Sequence, residues 1–399
     1  MKRSMSFFMC IVVAFTFMGG FFFDSFAVTA EAASYKTPYY YKQLSEKEQG
    51  YYDKMKEAVI GCKKSVKLKT AIDEDTLQKL VDLMYYYDVS CFNLSGASAR
   101  TGSSYTEVYF EYAYSKENYD KMIASLNKRA DKIIASFDED TKIYTKIKTI
   151  HDYIINHTEY DKDFSMSGLA YGALAKGRAK CDGYSQAFNY ICSRAGIRVI
   201  NVIGYAGESH MWNKVYYNKN WYNIDVTFDD PVSNYKENLT YDYFMVDDKT
   251  FGRDHTPDPC RFEIPAATDP TKSYYAVYKL TASDTETAKT VLINNIAKAA
   301  KKGKSGTAIR FDSDGTFNST VNALRADNGK LMSDILKKAY KKSGVDFYTG
   351  GYLSSANPNT LTFEVFIFYP DTSLDDYFEN TSAVDSEMRD FLGELGVAA

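Results

Sequence analysis

The stretch Gly177-Arg-Ala-Lys-Cys181-Asp-Gly-Tyr184-Ser-Gln-Ala-Phe188 is followed by Ser209-His210-Met-Trp212-Asn and then by Asn223-Ile-Asp225-Val-Thr. A thiol, an imidazole and a carboxylate thus arrive in that order within 45 residues. A thiol is a strong nucleophile only as the thiolate, so it needs a base beside it. The base in turn needs a carboxylate to fix its tautomer and steady its protonated form. These residue types are those of a Cys-His-Asp catalytic triad, with Cys181 as nucleophile, His210 as base and Asp225 as orienting carboxylate.

The local patterns place the three on regular elements. From Cys181 the apolar positions Tyr184, Ala187, Phe188, Ile191, Cys192 and Ala195 recur at helical spacing as far as Gly196, a C-terminal stop. Cys181 therefore opens a helix, whose positive end, with Arg178 and Lys180 nearby, is expected to lower the thiol pKa from about 8.5. A hairpin is expected next: a strand from His210 to Tyr217, a turn at Asn218 and Lys219, and a return strand from Trp221 to Thr227. In that register His210 lies opposite Thr227, and Asp225 is one diagonal step away on the same face. Met211, Val215, Tyr222, Ile224 and Val226 form the other, apolar face. Tyr184 and Trp212 are candidate substrate-binding walls of the cleft.

Residues 146 to 262 resemble the transglutaminase-like superfamily, whose core is related in layout to papain-type cysteine proteases. The likeness is carried by the helix read from Ile147 to Asp161, by Cys181-Asp-Gly-Tyr-Ser, His210-Met-Trp-Asn and Trp221-Tyr-Asn-Ile-Asp225-Val-Thr-Phe-Asp-Asp-Pro231, and by Tyr241-Asp-Tyr-Phe-Met245. Val226 and Phe228 stand where the family often has proline and tryptophan. The resemblance implies an α+β fold, with the cysteine helix packed on an antiparallel sheet, and acyl transfer through a thioester. Of the oxyanion-hole donors only the backbone N–H of Cys181 is assigned, and a side-chain partner is left open.

The flanking segments complete the expected organisation. Lys2-Arg3, an uncharged run from Ser4 to Phe23 and Ala30-Glu31-Ala32 read as a secretory signal peptide over residues 1–32, placing the mature chain outside the cell or on its surface. Residues 33–145 read as an N-terminal extension of helices and a strand. It includes a capping box at Ser45 and Glu48, a helix from Asp73 to Tyr87, a loop at Asn93 to Ser104 and a strand at Tyr105 to Tyr114. Residues 271–399 read as a C-terminal α+β domain of unknown role. It opens with a capping box at Ser283 and Glu286, followed by strands at Thr307 to Phe311 and Thr360 to Tyr369.

Composition limits the alternatives. With 45% hydrophobic and 25% charged residues the chain is globular in type, and a net charge of -4 offers no basic excess for nucleic acid. No second long apolar run follows the signal, so no membrane span is expected in the mature chain. No cofactor is expected, and His151, His157, His210 and His255 form no metal-ligand pattern. The 35 tyrosines fall mostly in alternating or helical patterns that suit packing. Beyond the signal, Cys62, Cys91, Cys181, Cys192 and Cys260 allow either two disulfides that spare Cys181 or five free thiols. The leading function is a cysteine hydrolase or acyltransferase acting on peptide or isopeptide bonds of protein, peptide or cell-wall substrates. The alternatives are a non-catalytic module binding such ligands and a cross-linking transglutaminase.

Overall fold

The computed structural model describes residues 38–230 and 240–370. The signal segment 1–32 lies outside the described residues. The fold is α+β, and the described residues divide into two compact units: those up to 221 with 256–266, and those of 222–255 with those from 267 onward. The division passes through a β-strand, Asn220–Ile224.

The first unit begins with a helix at Glu46–Ile60 closed by the expected capping box. The Ser45 side chain accepts from the Glu48 N–H, and the Glu48 carboxylate accepts from the Ser45 N–H. The segment expected as a loop is instead a strand, Leu94–Thr101, paired antiparallel with Thr106–Tyr112. Its small polar residues carry little strand propensity, and pairing with a regular apolar-alternating neighbour decides the matter. Ser65–Leu68 completes this three-stranded sheet on the other side of Thr106–Tyr112. Helices at Lys116–Ile134, Ile143–His157 and Cys181–Arg194 follow. Two antiparallel strands, Val199–Tyr205 and Ser209–Tyr217, then pair residue for residue, with His210 opposite Gly204.

The second unit contains a four-stranded sheet in the order Thr281–Ala282, Gly306–Phe311, Thr362–Phe366, Leu353–Asn357. Two helical segments, Thr285–Ala300 and 314–343, contribute Leu292, Ile296 and Leu336 to a core with Ile309 and Phe363. The first of these helices is capped one residue later than expected, by Asp284, whose carboxylate accepts from the Thr287 N–H at 2.7 Å. A carboxylate caps as well as a hydroxyl and adds a favourable interaction with the helix dipole. Residues 326–329 leave helical geometry and break the 314–343 segment into two. Among the described residues no helix is long and apolar enough to cross a membrane.

Candidate active site

The cysteine helix runs Cys181–Arg194, with Gly196 just beyond it in the left-handed region at φ +74°. Its first turn is fixed by two contacts that explain the motif around the cysteine. The Lys180 N–H donates to the Ser167 carbonyl at 3.0 Å, which lays the 167–169 backbone across the start of the helix. Gly183 sits where that backbone passes, and a Cβ there would come within 2.3 Å of the Ser167 carbonyl oxygen and 3.0 Å of that of Leu169. Only glycine permits so close an approach. Upstream, Glu159–Tyr160 pairs parallel with Arg178–Ala179, bringing Tyr160 toward the cysteine.

Ser185 explains the next position of the motif. Its hydroxyl donates to the Met211 carbonyl at 2.7 Å, and Asn213 Nδ2 donates back to the Ser185 carbonyl at 3.1 Å. Ser185 is four residues along the helix from Cys181, so it lies on the same face. Met211 adjoins His210 on the strand. These bonds register the thiol-bearing end of the helix against the histidine-bearing end of the strand. Asn213 and Asn189 both donate to Asn201 Oδ1, at 2.9 and 2.8 Å, so the polar groups under the helix are tied into one buried network.

Cys181 is buried, and its thiol donates to Asp182 Oδ1 at 3.4 Å. Lys180 pairs with the other Asp182 oxygen at 3.1 Å. Burial opposes the charge on Lys180, but Asp182 and Cys181 outweigh it and hold the ammonium above its usual range. Lys162 binds both Glu208 oxygens, at 2.5 and 2.8 Å, on the exposed side. Full burial pushes the Cys91 and Cys192 thiols well up, so they are poor nucleophiles. The five cysteines from Cys62 onward are free.

His210 is buried on the Ser209–Tyr217 strand, its ring stacked at 6.3 Å from that of Trp212. The strand was expected to alternate, yet its residues from His210 to Val215 are all buried. Both of its faces are covered, as in a central strand. The turn is as expected: Asn218 and Lys219 have φ +49° and +66°, the left-handed pair of a type I′ hairpin. Tyr184 and Trp212, the expected cleft walls, are core side chains at 0% and 1% exposure, and Tyr184 donates its hydroxyl to the Thr158 carbonyl at 2.9 Å. Neither presents a ring face to solvent. The Trp212 ring is packed where a side chain on Gly204 would meet it.

In the second unit the return strand ends at Ile224, three residues short of the expected Thr227. Asp225 causes the stop. Its Oδ1 accepts from the N–H groups of Thr227 and Phe228, at 2.9 and 3.0 Å, turning the backbone out of the ladder. Asp225 is fully buried, and its Oδ2 lies 3.1 Å from His255 Nε2. His255 Nδ1 faces Asp254 Oδ1 at 2.6 Å, and Tyr243 donates its hydroxyl to the other Asp254 oxygen at 2.6 Å. Burial opposes protonation of His255, but the two aspartates prevail and raise its pKa above the ordinary value of 6.5. Neighbouring Arg253 forks onto the Asp314 carboxylate and donates to the Pro358 carbonyl at 2.9 Å. His255 was missed in the sequence because its partner lies 30 residues away. The one local signal is the acidic residue immediately before it.

Residues 128–226 match the transglutaminase-like superfamily. The chain contains a transglutaminase-like domain. The matched span includes Cys181, His210 and Asp225. The mouse kyphoscoliosis peptidase is 26% identical over 142 residues, covering 30% of this chain and 22% of that protein. The human kyphoscoliosis peptidase is 25% identical over 185 residues, covering 40% of this chain and 26% of that protein. The chain thus spans about a quarter of the length of these relatives. A solved structure of a TGase shares 18% identity over 44% of this chain and 54% of that one, with a TM-score of 0.25.

Proposed function

We propose that the transglutaminase-like domain is a cysteine hydrolase or acyltransferase working on amide bonds outside the cell, with Cys181, His210 and Asp225 as its catalytic set. The observation that carries this reading is the coupling of helix to strand through Ser185, Met211 and Asn213, which registers the Cys181 end of the helix against the His210 end of the strand. No packing requirement calls for a thiol at the first residue of a helix and an imidazole at that point of the strand. Nucleophilic catalysis calls for both.

In this reading His210 takes the Cys181 proton, and the sulfur forms a bond to the carbonyl carbon of the substrate. The tetrahedral oxyanion is met by the Cys181 N–H at the start of the helix. The C–N bond breaks as His210 delivers its proton to the leaving amine, leaving a thioester. Water, deprotonated by His210, then adds to the thioester carbonyl and the C–S bond breaks. Asp225 keeps the His210 tautomer with the base toward the sulfur. Peptide and isopeptide bonds of protein or cell-wall peptides are the proposed substrates, and the segment 1–32 the proposed export signal.

The test is turnover of a peptide and isopeptide panel by the wild type and by Cys181→Ala. Hydrolysis by the wild type that falls to background in a folded Cys181→Ala protein is expected. Undiminished turnover in that variant would remove Cys181 from the mechanism.

A further inference from the structure

His255 and its two carboxylates form a buried cluster inside the second unit. His255 is 2% exposed and Asp225 is 0% exposed. Phe251 and Phe228 close over the imidazole, with ring centroids at 4.0 and 4.9 Å. Asp225, Asp254 and Tyr243 are titratable groups of this unit that face it. Each ring nitrogen points at an aspartate oxygen, at 3.1 Å for Nε2 and 2.6 Å for Nδ1. An ionised carboxylate only accepts hydrogen bonds, so with both aspartates ionised each ring nitrogen would act as a donor. Burying a histidine between two carboxyl groups is costly unless the arrangement is used.

We propose that His255 is a positioning residue for the reaction, acting through Asp225. Its Nε2–H clamps Asp225 Oδ2 while two backbone N–H groups clamp Oδ1, so the carboxylate has one orientation. Asp254, itself held by Tyr243, fixes the ring from the far side. Such an arrangement has the logic of outer groups that orient a functional ligand. The inference rests on the reading of Asp225 as the partner of His210.

Two near-isosteric variants separate this role from plain structural support. In His255→Gln the side-chain amide N–H reaches about as far as Nε2, toward Asp225. In His255→Asn it reaches about as far as Nδ1, toward Asp254. The readout needs no known substrate: the rate of iodoacetamide alkylation at Cys181 against pH, followed by mass spectrometry of the Cys181 peptide, with Asp225→Asn as reference and thermal melting as the folding control. The wild type is expected to react on the acid side of neutrality. His255→Asn should move the acid limb up by about one pH unit, a tenfold loss of thiolate at fixed pH, toward the Asp225→Asn profile. His255→Gln should stay near the wild type.

Equal shifts in the two variants, or none in either while Asp225→Asn shifts, would overturn the inference alone. A wild-type limb near 8.5, unmoved by Asp225→Asn, would overturn both it and the proposed function. Nitrogen-15 spectra of the wild type give a reading independent of any variant. Two protonated ring nitrogens on His255 at neutral pH are expected, and one bare nitrogen would end the proposal.

Discussion

Asp225 does three things at once: it stops a strand, starts a turn and faces an imidazole, and each of its oxygens has a hydrogen-bond partner. Burial opposes protonation of the His255 that binds it, but Asp225 and Asp254 outweigh burial and raise its pKa, which has a measurable consequence. A histidine whose pKa rises on folding contributes stability in full below its unfolded value and loses it as pH rises through its folded value. The gap in unfolding free energy between the wild type and His255→Gln should therefore be widest below about pH 6 and shrink as pH rises above 6.5. Urea unfolding from pH 5.5 to 8.5 measures it, and a gap that widened with pH would mean the ring is neutral when buried. The sequence singles out Cys181, His210 and Asp225 by residue type and order, and the transglutaminase-like match spans all three. His255 was not legible, since nothing local tells a histidine with a partner 30 residues away from one that merely packs. Tyr184 and Trp212 were read for their ring faces, and both faces are spent on the core.

Among the elements, those announced by side-chain chemistry were the legible ones. The Cys181–Arg194 helix, the type I′ hairpin at Asn218 and Lys219 and the Ser45 capping box follow from patterns only a few residues long. The Leu94–Thr101 strand was not legible, because its residues have weak preferences and its neighbour imposes the conformation. The cysteine helix makes a strict prediction. Gly183→Ala forces a Cβ onto the Ser167 and Leu169 carbonyls, so it should cost roughly 1–3 kcal/mol and displace the Cys181 turn, with a lowered melting temperature and slower Cys181 alkylation. Normal values for both would show that the 167–169 backbone yields easily. In the second unit Asp284→Ala should cost about 1 kcal/mol through loss of the cap, whereas Ser283→Ala should be nearly silent, because the cap belongs to Asp284. Thermal melts of the two variants check the assignment. Residues beyond 271 in the same unit also brace the histidine cluster, because Asp314 and Pro358 hold Arg253, two residues from His255.

For the whole molecule, the α+β class and the transglutaminase-like domain were readable from three ordered motifs. The course of the second unit was not: it joins residues 222–255 to the sheet and helices beyond 280, and such joining depends on tertiary contacts. Asp242 shows the kind of contact, accepting from the hydroxyls of Tyr275, Thr360 and Thr362. A hydrolase and a cross-linker share the same thioester and differ in what reaches it. On the proposed hydrolytic reading, a labelled primary amine offered with peptide substrate should enter only a minor product beside hydrolysis; efficient incorporation at low amine concentration would make the protein a cross-linker. The central claim is that Cys181 becomes acylated. Mass spectrometry after rapid acid quenching of the protein mixed with extracellular protein or peptidoglycan extract tests it most directly. An acyl adduct on the Cys181 peptide, lost in His210→Ala, is the predicted result. Adducts confined to other cysteines, or at Cys181 regardless of His210, would contradict it.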